Sequence, residues 1–212
     1  MRILLTGSEG FVGSVLRKSL RKKNYDVYCI DRIKKIRTNY FCYDLSSDLL
    51  NLQLSLKDVN FDVLIHLAAA KGDYNLGYKE FYRDNVTASN NLLDLVKVLD
   101  IKSVIMYSTV SVYGHNNKIK SEDAELAPNN PYGVTKLESE NLFIKWFNLD
   151  PIKNKLTILR PSVIYGENNF ANMYNLLDQL NKKFPVSVGN GNYIKSMVAV
   201  ENIVDITMFC LN

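Results

Sequence analysis

The segment "RILLTGSEGFVG" (2–13) carries an apolar run directly into glycines at 7, 10 and 13. Nothing in "RILLT" alternates with polar residues, so a strand built from it must be covered on both faces. Further short runs follow at "DVYCI" (26–30), "YFCY" (40–43), "DVLIH" (62–66), "SVIMYS" (103–108) and "KLTIL" (155–159). Between them, 10–23, 78–99 and 132–149 read as helices, the second with an apolar stripe at Leu92, Leu95, Val96 and Leu99. Alternation of this kind predicts an α/β fold with a doubly wound parallel sheet.

The glycines sharpen that expectation. A helix has to start after the first strand, and its free amides and dipole favour a phosphate. Glycine permits a tight turn at Gly7, close approach of a pyrophosphate at Gly10, and close helix–strand packing at Gly13. Asp31 stands at the end of the second strand, where a carboxylate holds both ribose hydroxyls of NAD and repels the 2′-phosphate of NADP. Arg32 works the other way, because a guanidinium can pair with that phosphate. The bland alternative is a structural turn followed by a surface aspartate.

A chain of 212 residues, 47% hydrophobic and 23% charged, accommodates one large domain or one domain with a small appendage. The net charge of +4 comes from dispersed lysines and arginines, without the basic stripe expected of a nucleic-acid binder. Cys29, Cys42 and Cys210 are widely spaced in apolar runs and read as buried free thiols of a reducing compartment. The chain has only two histidines, His66 and His115, which argues against a metal centre; they read as a packed strand-end residue and a solvated loop residue. No apolar stretch reaches the length of a membrane span, and the N-terminus enters a strand without a leader pattern, so a cytoplasmic location is expected. The stretch 115–130 reads as an exposed polar excursion. From 168 onward the character changes to a helix around 169–183, a strand near 193–199 and a helix around 201–211. The expected division is a cofactor-binding domain at 1–166 and a partial substrate-binding portion at 167–212 that returns to the core.

"PYGVTK" (131–136) places Tyr132 and Lys136 one helical turn apart on one face. With 13 tyrosines and many lysines, the spacing alone proves nothing. Its context carries more. "TGSEGFVG" (6–13), "DL" (44–45), "HLAA" (66–69), "NVTASNNLL" (85–93), "YSTVSVYG" (107–114) and "PYGVTK" occur in one order and spacing. "LRPSVIYG" (159–166) and "KSMVAVENIVD" (195–205) extend the pattern almost to the last residue. In these stretches the chain resembles the extended short-chain dehydrogenase/reductase family, with its Rossmann-type cofactor domain, and within it the nucleotide-sugar epimerases and dehydratases.

The resemblance implies roles. The Phe11 and Val12 amides would meet the pyrophosphate, and Asp44 with Leu45 would border the adenine. Leu67, Ala68 and Ala69 would line the cofactor channel, with Ser108 and Pro161 also at the cofactor. Asn85 corresponds to an asparagine at the cofactor site that braces the active-site strand; a helix cap is the compatible plainer reading. Thr109, Tyr132 and Lys136 would form the catalytic set, with Lys136 and the positive nicotinamide ring lowering the Tyr132 pKa and Lys136 bonding the nicotinamide ribose. Asn172 and Lys195 would approach the substrate diphosphate, although a solvated strand-end lysine serves as well for Lys195. Val163 departs from the asparagine common at that place.

Family 4,6-dehydratases carry an Asp-Glu pair directly after the catalytic threonine. Here those positions are Val110 and Ser111, which disfavours dehydration. The expected function is therefore an NAD-dependent epimerase acting on a nucleotide-diphosphate sugar through a transient 4-keto intermediate, with Tyr132 as acid and base. An NAD(P)-dependent keto-sugar reductase is the alternative within the family, with NADP the less favoured cofactor. Relatives run further at the C-terminus, so a non-catalytic remnant that binds cofactor or a partner is the non-enzyme alternative. Helices 78–99 and 132–149 point to a homodimer seam.

Overall fold

Ile3 and Leu5 of the first strand join one buried cluster and Leu4 joins another, and all three have no exposed surface. That alternation of faces, with both faces apolar, is what a strand at the centre of a doubly covered sheet requires. The computed structural model describes residues 1–70, 76–114, 119–169, 172–182 and 194–211, apart from the side chains of 172 and 173. In it β1 (Arg2–Thr6) lies between β2 (Asp26–Asp31) and β4 (Val63–His66). With β3 (Tyr40–Cys42), β5 (Ser103–Tyr107) and β6 (Lys155–Leu159) they form a six-stranded parallel sheet of order β3-β2-β1-β4-β5-β6. The strand order reverses between β1 and β4, and in open α/β sheets ligands bind outside the carboxyl ends at that point.

Helices cover both faces. α1 (Phe11–Lys22) and α7 (Val200–Phe209) bury Leu16, Leu20, Ile203 and Val204 against Ile3, Leu5, Val63, Ile65 and Ile105. α2 (Leu50–Leu56), α4 (Ala88–Val98) and α5 (Pro131–Leu149) cover the other face with Leu52, Leu56, Leu92, Val96, Phe143 and Trp146. The apolar stripe of α4 is thus spent on the sheet. Tyr107 locks α7 in place, its hydroxyl sharing a hydrogen bond with Thr207 on the buried side of the helix.

Several expectations need correction. The segment 78–99 is not one regular helix: α3 (Tyr78–Phe81) passes through a π-helical segment, Tyr82–Thr87, before α4 begins. The wider turn leaves Asn85 and Val86 buried. The strand near 193–199 is shorter and belongs elsewhere. As β8 (Met197–Ala199) it pairs in parallel with β7 (Val163–Tyr165) in a separate two-stranded sheet. β7 and α2 were not anticipated, being too short to show a period; α6 (Asn172–Leu180) falls within the expected 169–183. Of the thiols only Cys29 is buried; Cys42 is exposed because β3 is the edge strand, and Cys210 is half-buried. Among the described residues no helix is long and apolar enough to cross a membrane. His115 lies outside the described residues.

His66 occupies the carboxyl end of β4 with 1% exposure. Its Nδ1 meets the Thr6 hydroxyl at 2.7 Å and its Nε2 the Ser89 hydroxyl at 3.4 Å, with the Phe143 ring tilted against it at 5.5 Å. Burial, reinforced by the positive charge of Lys136, pushes its pKa down to about 3. A group depressed in the folded state leaves stability intact above its unfolded pKa, near 6.5, and removes it as pH falls toward the folded value. Urea denaturation at pH 7 and pH 4 is expected to show a larger loss for the native chain than for His66→Asn. Equal losses would remove this account of the buried imidazole.

Candidate active site

The carboxyl ends of β1 and β4 stand level, Thr6 opposite His66, so the loops that follow them touch. Gly7 turns away with φ +70°, and a Cβ there would lie 2.7 Å from the Ala68 amide nitrogen. At Gly13 a Cβ would fall 2.0 Å from the Gly7 carbonyl oxygen. Both contacts are too close for any side chain, so these glycines bring α1, the turn and the β4 loop together. Gly10 caps α1 with extended backbone; no side chain bonds the free amides, and no acidic residue stands in the first turn. The half-buried Phe11 and Val12 therefore open a helix N-terminus suited to an anion.

Asp31 ends β2 beside this turn, its carboxylate accepting the Glu9 amide at 2.9 Å and the Ile33 amide at 3.0 Å. The next residue, Arg32, is engaged with the Asp84 carboxylate at 3.0 Å. Asp44 is exposed and bonded by the Ser46 amide and hydroxyl; partial burial raises its pKa, but these bonds and the charges of Arg83 and Arg32 outweigh it, leaving it below the usual value. Leu45 is buried next to it. Leu67, Ala68 and Ala69 are half-buried along the β4 loop, the Ala68 amide reaching the Thr6 hydroxyl at 3.3 Å.

Asn85 ties the loop after β4 to α5. Its side-chain oxygen accepts the Ala70 amide at 2.8 Å and its nitrogen donates to the Thr135 hydroxyl at 3.0 Å. The Ser139 hydroxyl donates to its backbone carbonyl at 3.0 Å. With 2% exposure it braces the β4 loop against α5, and it sits inside the π-helical segment rather than at a cap. Its side-chain oxygen and nitrogen are both engaged by protein groups.

On the other side of the crevice Thr109 follows β5 and caps a 3₁₀ turn, Val110–Tyr113, through the Ser111 amide. Its side chain also stands near the Tyr132 phenol and works to lower that phenol's pKa. Asn130 caps α5 by accepting the Gly133 amide at 2.8 Å, which sets Tyr132 in the first turn. Phe81 packs against the phenol ring at 5.9 Å. Lys136, one turn on and 3% exposed, donates from Nζ to the Tyr107 carbonyl at 2.7 Å. Burial lowers its pKa to about 8, partly opposed by Glu140. The Tyr132 pKa is raised, by burial first, with Thr109 opposing. In the chain alone the Lys136 ammonium is bonded to a backbone carbonyl, and desolvation of the phenolate dominates.

Ser108 lies between these groups, 5% exposed, and among the described residues its hydroxyl finds no hydrogen-bond partner. Pro161 is half-buried, its carbonyl accepting the Val110 amide at 3.1 Å. Lys195 is exposed just before β8, and Asn172 opens α6 with its side chain outside the described residues. Neither is brought to the catalytic set by a described contact.

Two charged groups escaped sequence reasoning. Glu140, with no exposed surface, receives Arg160 in two parallel bonds of 3.0 and 2.7 Å. Arg160 also reaches the Tyr113 hydroxyl at 2.7 Å, so the pair ties α5, the end of β6 and the turn after Thr109 together. Only the four-residue step from Lys136 to Glu140 could have signalled it. Glu9, inside the glycine turn, binds Arg37 at 2.7 Å and Arg17 at 3.3 Å. The glycine cradle, the uncapped helix, Asp31 and the unpaired Ser108 hydroxyl together fit a dinucleotide lying across the strand ends.

The sequence profile described as "NAD dependent epimerase/dehydratase family" matches residues 3–212. The chain is 32% identical over 212 residues to the N-acetyl-alpha-D-glucosaminyl-diphospho-ditrans,octacis-undecaprenol 4-epimerase of Escherichia coli O157:H7, covering 99% of itself and 62% of that relative. Among solved structures it resembles MoeE5 in complex with UDP-glucuronic acid and NAD, at TM-score 0.87 and 30% identity over 100% of this chain and 72% of that one. UDP-glucuronic acid 4-epimerase from Bacillus cereus, bound to UDP-glucuronic acid and NAD, superposes at TM-score 0.84 with 27% identity over 100% of this chain and 73% of that one. The chain thus spans less than two thirds of the curated relative. Profile, fold and site geometry converge, and the chain belongs to the NAD-dependent epimerase/dehydratase family.

Proposed function

We propose that the chain binds NAD across the carboxyl edge of its sheet and inverts C4 of a sugar carried on a diphosphate. The observation that carries this reading is Tyr132 beside Thr109 at the crevice, one helical turn from a buried Lys136 anchored on the Tyr107 carbonyl. The α1 amides and the glycine turn bind the pyrophosphate, and Asp31 takes the ribose hydroxyls. When bound, NAD supplies a hydride acceptor and a cationic ring, the charge that would draw the phenol's pKa down from its raised value. Tyr132 takes the proton of the C4 hydroxyl while the C4 hydride departs, and Thr109 holds the oxygen that becomes a carbonyl. Return of the same hydride to the other face of the turned keto-sugar would leave no oxidant or reductant consumed, with Tyr132 giving the proton back to the C4 oxygen.

Dehydration lacks its machinery here. Val110 is an exposed apolar side chain, and the Ser111 hydroxyl lies 3.2 Å from Thr109 Oγ1, so neither position offers an acid–base pair. The reductase alternative leaned on Arg32, whose guanidinium is paired with Asp84. The remnant alternative gives no reason for the Thr109, Tyr132 and Lys136 arrangement to persist. Similarity to both a lipid-linked-sugar epimerase and nucleotide-sugar proteins leaves the diphosphate as the shared substrate feature.

Turnover is tested with NAD and a panel of UDP-, GDP- and dTDP-hexoses plus polyprenyl-diphosphate N-acetylglucosamine, with epimers read by proton NMR. A C4 epimer from one of them is expected. Tyr132→Phe is expected to cut the rate by about 10²–10⁴-fold without loss of NAD binding. Thr109→Val is expected to cost on the order of 10²-fold, by removing the donor to the developing carbonyl. NAD binding with no product from any sugar, or full turnover by Tyr132→Phe, would overturn the reading.

A further inference from the structure

Two arginines flank Asp31, and each is already held by an acid. Arg37 reaches back from the loop after β2 to Glu9 at 2.7 Å, and Arg32 reaches Asp84 at 3.0 Å. Glu9 is the more constrained acid: its side chain is 8% exposed and also meets Arg17 at 3.3 Å. Its backbone amide donates to Asp31 Oδ2 at 2.9 Å, so the Glu9–Arg37 pair is built onto the carboxylate at the end of β2. The neighbouring Tyr40 phenol confirms how closely these charges gather. Burial first, then the charges of Asp31 and Glu9, raise its pKa to about 12, while Arg37 opposes them. Asp84 is likewise tied, with a side chain 10% exposed and a second arginine, Arg83, at 2.7 Å.

We propose that Glu9 and Asp84 determine the chain's choice of NAD over NADP, by holding Arg37 and Arg32 in ion pairs beside the ribose site. The proposal rests on the dinucleotide reading given above. A 2′-phosphate next to Asp31 needs a guanidinium to offset the carboxylate, because arginine's planar fork matches phosphate oxygens. Both available guanidiniums are committed. To recruit Arg37, a phosphate must displace a nearly buried carboxylate and leave Glu9 with Arg17 alone, and losing a partner is costly for a desolvated charge. To recruit Arg32, it must break the bond to Asp84. The 2′-hydroxyl of NAD makes no such demand. Asp31 accounts for repulsion of the phosphate, and Glu9 and Asp84 account for why the adjacent arginines do not rescue it.

The test is calorimetric binding of NAD and of NADP, without sugar and at one ionic strength, to the full chain and three variants. Glu9→Gln removes the charge that holds Arg37 while keeping the shape. The ratio of the NADP to the NAD dissociation constant is expected to fall at least about tenfold in Glu9→Gln, a difference of about 1.4 kcal/mol. Adding Arg37→Ala to Glu9→Gln is expected to restore the native ratio, which a merely structural effect of Glu9 would not do. Asp84→Asn is expected to lower the ratio through Arg32, and this arm decides alone if Glu9→Gln does not fold by circular dichroism. An unchanged ratio in every folded single variant overturns the proposal, as does a fall in Glu9→Gln that survives Arg37→Ala. A native chain that binds neither dinucleotide overturns the cofactor reading and this proposal with it. Absence of sugar turnover with normal NAD binding bears on the epimerase reading only.

Discussion

The approach of Gly13 to the Gly7 carbonyl, where a Cβ would fall at 2.0 Å, is the contact from which the arrangement of the site follows. It seats the first turn of α1 directly over the end of β1. From there α1 lies along the sheet with Leu16 and Leu20 in the core and its uncapped amides at the crevice. The same tight turn brings Gly7 against Ala68, so the loops after β1 and β4 meet without a side chain between them. A larger residue at either glycine would lift the helix from the sheet and close the phosphate site at once.

The opposite wall depends on α5, and α5 is held by polar groups as much as by its apolar face. Lys136 bonds the Tyr107 carbonyl, Thr135 and Ser139 bond Asn85, and Glu140 bonds Arg160. All four α5 side chains are nearly or fully buried. Satisfied buried polar groups of this kind leave few alternative positions for the helix, because shifting it would strand each of them. Tyr132 inherits that precision from residues on its own helix, and Thr109 inherits it from the end of β5. Thr109 and Tyr132 come from distant parts of the chain, and this network fixes the helix that carries one of them.

Electrostatics at the two ends of the crevice run in opposite senses. Around Asp31 the acids Glu9 and Asp84 hold Arg37 and Arg32 in ion pairs. Around Tyr132 burial dominates. It raises the phenol's pKa, lowers that of Lys136 to about 8 and keeps His66 neutral, so Lys136 is the charged member of the three at neutral pH. A charge arriving with a ligand therefore changes the phenol strongly, since little solvent is present to screen it.

Much of this was legible in the residue order. Continuous apolar strands required a sheet covered twice, and the glycines at 7, 10 and 13 required a helix seated on a strand end. Tyr132, Lys136 and Thr109 could be assigned because their spacing is local and their neighbours follow a family pattern. What the tertiary structure decided are the relations between segments remote in sequence. Arg32 finds Asp84 at a separation of 52 residues. Asn85 reaches Thr135 at a separation of 50, which makes it a brace. The direction of the Tyr132 pKa turned on desolvation, and burial is a property of the packed chain. Helical and strand periods record which face of each element is apolar, so they reveal the layers. They carry no record of which charged side chains meet across those layers, because any acid can pair with any base until the fold chooses the distances.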